Sequence, residues 1–216
     1  DLAWPLVPMV RYDQRYAAAI GKWMVNAANA AHLFYPNDIP DSLQALPGKK
    51  AITRNVIAYE GLVKSADMKG FEGTSPFAQG DGPLWAPGMP DVTMFSIYGS
   101  GHVGIFGSII RTTEVEGILM LDCLATDLYR KTEAYPTWLV YNPHNDTREV
   151  EIRLGDRSVD IYDAVNQKLI VRNVKGSYKI SLMKHQASLL VYIPTQSKFT
   201  FEGAKLLANG VVVDYH

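Results

Sequence analysis

Four side chains in the first half of the chain have the chemistry to move protons: Glu60, Asp81, Asp91 and His102. Glu60 follows Tyr59 in IAYEGL, an acid among apolar neighbours. Burial there would push its pKa upward, as a general acid requires. Asp81 and Trp85 lie in FEGTSPFAQGDGPLWAPGMPD, a stretch rich in glycine and proline that Asp91 closes. Carboxylates that handle protons, beside an aromatic face, make the set that a sugar site uses. A long irregular stretch inside a compact domain is often functional. Each residue also has a plain structural reading: Asp81 and Asp91 as turn residues, Glu60 as a surface or salt-bridged acid.

His102 sits in GSGHVG, residues 99–104, with Tyr98 just before it and Ser100 inside it. The glycines match the G-x-G-x-x-G spelling of a dinucleotide loop. That loop must open directly into a helix, because the pyrophosphate rests on the helix's first N–H groups. Here the β-branched Ile105, Ile109 and Ile110 follow instead, and the first helix-start signal is at Thr113. The reading is therefore a glycine-rich corner. It presents Tyr98, Ser100 and His102 to a ligand, or holds His102 as a hydrogen-bonded structural residue.

Several classes are excluded or unsupported. Lysine and arginine number 21 against 22 aspartates and glutamates, a net charge of −1 with no basic run. A nucleic-acid partner needs clustered cations and is not expected. No apolar stretch is long enough for a membrane span. The one cysteine, Cys123, cannot form an intrachain disulfide and reads as a small core residue. No metal-site motif, Walker loop or G-x-S-x-G occurs, so neither a metal nor a cofactor is expected.

The elements that would position these residues change type along the chain. Asp13–Phe34 reads as a helix capped by Asp13, with Tyr16, Ile20, Trp23, Ala27, Ala30 and Phe34 on one face. Ala18, Val25 and Ala28 fall opposite. Residues 51–64 are ambiguous and lean to helix. A second helix is expected from Glu114 to Arg130, where Thr113 and Glu116 have capping-box spacing and Ile118, Leu121, Ala125 and Leu128 form a stripe. Asp122 on that helix would anchor backbone or an arginine. After Tyr135-Pro136 the texture becomes strands: TWLVYNP, TREVEIRL, SVDIYDA, KLIVRNV, SYKISL and ASLLVYIP, with turns between. That spacing is the pattern of an antiparallel sandwich. The expectation is an α+β chain: a helical and loop-rich region over 1–133, then an antiparallel β-sandwich over 134–216.

The strand run resembles the small β-domain that ends many glycoside hydrolases, through Asn142-Pro143, the Asp160 to Asp163 turn, and the closing strand from Ser188 to Pro194. The alanine-rich helix and glycine-rich loops resemble the closing part of an (α/α) toroid. The resemblance implies the C-terminal part of an exported, periplasmic or extracellular, carbohydrate-active enzyme. A glycoside hydrolase is the leading form, with a polysaccharide lyase or a glycan-binding or structural accessory module as alternatives. It implies a carbohydrate substrate and the remainder of a longer polypeptide as partners. On this reading Asp81, His102, Glu60 and Asp91 are the catalytic candidates, and Tyr98, Trp85 and Ser100 the substrate-binding ones. Trp138, Tyr162 and Tyr178 are the rings that a binding module would expose.

Overall fold

A computed structural model describes residues 2–30, 62–63, 77–78, 100–128 and 130–215. The chain divides into two compact units, one of Asn26–Phe106 with Asp1 and one of Leu2–Val25 with Gly107–His216. In the first unit, β1 (Leu62–Val63) pairs antiparallel with β2 (Phe77–Ala78). The end of the 51–64 stretch is therefore strand where helix was expected.

The second unit opens with α1 (Ala3–Met9), a 3-10 turn at Gln14–Tyr16, and the start of α2 (Ala17–Ala30). Asp13 caps the 3-10 turn, its carboxylate accepting from the Arg15 N–H at 3.2 Å. The expected start of the helix is thus right, one short turn early. Its buried face is different. Tyr16 and Trp23 are exposed, while Ala17, Ile20, Met24, Val25 and Ala28 are buried. Aliphatic residues and alanines, not the large rings, face inward. Gly21 shows why: a Cβ there would stand 2.6 Å from the Tyr141 Cβ. Close approach of helix and sheet requires glycine at that point.

The main sheet has six antiparallel strands in the order β3-β4-β5-β8-β6-β7. They are β3 (Ile110–Thr112), β4 (Leu119–Asp122), β5 (Thr137–Tyr141), β6 (Arg148–Asp163), β7 (Lys168–Leu182) and β8 (Ala187–Pro194). The sheet therefore begins upstream of residue 134. The helix expected over 114–130 is absent. A turn stands there instead, closed by the Ile118 N–H donating to the Val115 carbonyl at 3.1 Å and braced by the Thr113 hydroxyl, which donates to the Ile118 carbonyl (2.7 Å) and accepts from the Val115 N–H (3.2 Å). Gly117 stands at φ +81°, a left-handed position that a helix interior does not allow. Leu121 is buried in β4 and Ile118 just before it, and Leu128 is exposed. Asp122 anchors backbone as expected, but in a turn, accepting from Leu124 and Ala125 N–H.

The outer half of the β6–β7 hairpin supplies a second layer. β6 pairs with β8 only over Val159–Asp163. Before that, its partner is β7 alone, and the ladder shifts register around the facing pair Gly155 and Gly176. Both glycines have φ +79°. Beyond this bend, Val150, Ile152, Ile180 and Leu182 pack with Met120, Val140, Ile161, Leu190 and Tyr192 from the main sheet. The opposite face of the sheet carries Leu121, Leu139 and Leu189 on one rung, all buried. On that side α1 packs against β4 and Gly21 of α2 meets Tyr141. With both faces covered, β8 (ASLLVYIP) is buried over seven consecutive residues.

Three shorter strands, β9 (Phe199–Glu202), β10 (Lys205–Ala208) and β11 (Val211–Tyr215), form a second antiparallel sheet. It is joined to the first by the buried Tyr162 hydroxyl, which donates to Asp214 at 2.8 Å. The architecture is α+β and sandwich-like. Among the described residues the helices do not build a toroid.

Candidate functional site

The sequence-derived site residues divide by position. Glu60, Asp81, Trp85, Asp91 and Tyr98 lie outside the described residues. Ser100 and His102 fall in the first turn of α3 (Ser100–Ile109). GSGHVG is therefore not a corner before a strand: a helix begins inside it and runs to Ile109. Phe106 and Ile109 hold this helix by burial. Arg111 closes its C-terminal end, donating to the carbonyls of Gly107 (3.0 Å) and Ser108 (3.3 Å). A nucleotide loop remains unsupported for a different reason than the missing helix. A dinucleotide fold needs a parallel βαβ unit, and every described strand pairing is antiparallel.

The described residues form a different recess. It lies where the β6–β7 hairpin bends over the main sheet, beside β3. Arg111 and Met120 share a rung with Val140, so they face the same side. Trp138, two residues before Val140, falls on that face too. From the hairpin, Glu151 and Arg153 occupy the positions that alternate with buried Val150 and Ile152. Glu114 of the β3–β4 turn ties the two layers, accepting from the Glu151 N–H at 2.6 Å. These residues, with Thr112 and Thr113, line a cleft of about 590 Å³. Ligand pockets fall in the range of about 300–1,000 Å³.

The lining combines one half-buried indole, two guanidiniums and two carboxylates. Their formal charges cancel. A second recess of about 650 Å³ involves Tyr12, Asp13, Arg15 and Tyr215. Its polar groups are largely committed: Arg15 and Asp13 pair at 2.6 Å, and the Tyr12 hydroxyl donates to Asp127 at 2.9 Å. Among the described residues no cluster of histidine, cysteine, aspartate or glutamate could hold a metal ion.

Of the three rings expected to face a ligand, only Trp138 lines the cleft. Tyr162 is buried, and Tyr178 leans half-buried against the core. Burial, then the Asp214 hydrogen bond, pushes the Tyr162 phenol well above its ordinary value. Arg111, Glu114, Glu151 and Arg153 were not singled out by residue type. The signal for two of them was legible, because TREVEIRL alternates charged with β-branched or leucine residues. What the charged side faces depends on the glycine bend.

The acids that carry the sequence resemblance organise the fold. Asp163 accepts from the N–H groups of Val165 (3.0 Å) and Leu189 (3.2 Å), tying the hairpin turn to β8. Asp160 accepts from Asn173 N–H at 2.8 Å, where Asn173 stands at φ +54°. Asn142 donates to the Asp146 carbonyl at 2.8 Å and the Leu182 carbonyl at 3.0 Å. The buried Asp127 pairs with Arg11.

No protein-family model matches the chain. No curated protein matches it either. Among solved structures, it is similar to alpha-galactosidase I from Mortierella vinacea at 13% identity and a TM-score of 0.30, over 38% of this chain and 22% of that one. It is also similar to a GH27 β-L-arabinopyranosidase from Geobacillus stearothermophilus, at 11% identity and a TM-score of 0.29, over 44% of this chain and 24% of that one. The chain thus spans less than a quarter of either protein.

Proposed function

We propose that the chain is the C-terminal part of a glycoside hydrolase-like, carbohydrate-active enzyme, exported to the periplasm or beyond. The β-domain is its non-catalytic buttress. One observation carries this reading. The segment that resembles the terminal β-domain of such enzymes folds as β5 to β8, and its buried acids, Asp160 and Asp163, are spent on its own backbone. A hydrolytic acid and its base or nucleophile then belong to the helical and loop-rich region, where Glu60, Asp81 and Asp91 are the carboxylate candidates and His102 a proton carrier. Tyr98, Trp85 and Ser100 would bind the sugar.

The test is release of reducing ends from a panel of polysaccharides by the complete protein. Single substitutions Glu60→Gln, Asp81→Asn, Asp91→Asn and His102→Ala are then compared. Loss of a true acid/base carboxylate lowers kcat by about 10²–10⁴-fold. Parent-level turnover in all four variants would reject these residues. An unsaturated uronic end on the products would replace the hydrolase by the lyase alternative, in which Tyr98 or His102 abstracts a proton.

A further inference from the structure

The geometry points to the cleft beside β3 as a second, non-catalytic binding site for a neutral saccharide. The inference takes its ligand class in part from the carbohydrate reading above, but the site stands on its own lining. A sugar ring has an apolar C–H face and a rim of hydroxyls that both donate and accept. The cleft offers both halves. The Trp138 indole gives a flat apolar surface held by the core beneath it. Around it stand donors from Arg111 and Arg153 and acceptors from Glu114 and Glu151. Charged partners make the stronger hydrogen bonds to hydroxyls.

Three features favour this ligand over others. The two guanidiniums are balanced by two carboxylates, so the lining does not select an anion such as a phosphate or a uronate. The volume, about 590 Å³, exceeds what one ring fills and suits a short stretch of chain. The wall on the β3 side is also fixed in advance. Arg111 is held by three backbone carbonyls, those of Gly107, Ser108 and Ile110. Glu114 is held by the Glu151 N–H. A pre-ordered wall loses little entropy when a ligand arrives.

Affinity electrophoresis of the full chain tests this, in gels containing galactomannan, xyloglucan or mixed-linkage glucan, with polygalacturonate as the acidic control. At least one neutral polysaccharide retards the parent, and raising the ionic strength changes that retardation less than about two-fold. Trp138→Ala weakens it about ten-fold and Arg153→Ala about three- to ten-fold. Trp138 leans on the core, so Arg153→Ala and Glu151→Gln, both at exposed positions, decide the matter if Trp138→Ala does not fold. The inference fails if no neutral polysaccharide retards the parent, if Arg153→Ala and Glu151→Gln both run as the parent does, or if only polygalacturonate binds. Reducing-end release on the same samples separates the two proposals. Binding without cleavage keeps the cleft and removes the hydrolase; cleavage without retardation does the reverse.

Discussion

Two buried side chains make the chemistry of single residues measurable. Cys123 is fully buried just after β4, and burial pushes its thiol up to about 12. The thiolate is the reactive form, so the native protein should resist iodoacetamide at neutral pH and become alkylated only in denaturant, as mass spectrometry would read. Rapid native labelling would contradict the burial. Tyr192, in β8, packs in the core with a hydroxyl that has no hydrogen-bond partner among the described residues. A buried unpaired hydroxyl costs about 1–3 kcal/mol. Tyr192→Phe should therefore leave stability to urea unchanged or raise it by about 1 kcal/mol, and a clear loss would show that the hydroxyl is satisfied. Burial also raises this phenol above its ordinary value, as it does that of Tyr162. A raised folded-state pKa means the unfolded chain loses its proton first. The stability these rings contribute is then present below pH of about 10 and is lost as pH rises beyond it. Thermal melts across that alkaline range should fall more steeply for the parent than for Tyr192→Phe.

At the scale of elements, contact between α2 and the sheet hinges on one missing side chain. Gly21→Ala must move helix or strand, because the facing atom is the Tyr141 Cβ and cannot swing aside. Overpacking of this kind costs about 1–3 kcal/mol. Gly107→Ala, in α3 with open space around the added carbon, should instead gain up to about 1 kcal/mol from helix propensity. Chemical denaturation of the pair checks both signs. The elements also explain what sequence could and could not reveal. Strands β5 to β8 were legible because turn residues punctuate them at short intervals. The helix expected over 114–130 failed because Thr113 and Glu116 have a capping-box spelling, yet Thr113 accepts from Val115 N–H and donates to the Ile118 carbonyl, bracing a turn. Gly117 at φ +81° seals the difference. In α2 the large rings suggested the wrong inner face, since spacing alone does not say whether a face needs bulk or close approach.

For the whole molecule, the acids and rings nearest the proposed chemistry lie in stretches without strong periodicity. The cleft of Arg111, Trp138 and Glu151 is assembled from β3, β5 and β6, of which β3 lies well upstream of the other two. No local pattern could announce it, because the hairpin bend at Gly155 and Gly176 brings its two walls together.

The placement of α1 and α2 over the sheet has a consequence for synthesis. The helices that cover β4 and Tyr141 leave the ribosome before the sheet they cover, and β8, the strand at the centre of that sheet, emerges some 160 residues after them. Until then the six-stranded sheet cannot close. A chain lacking those helices would keep β8 paired with β5 and β6 but would bare the apolar rung of Leu121, Leu139 and Leu189. Solubility in the cell should thus depend on the first 25 residues as much as on the strands: a chain lacking them should partition into inclusion bodies while the parent stays in the supernatant.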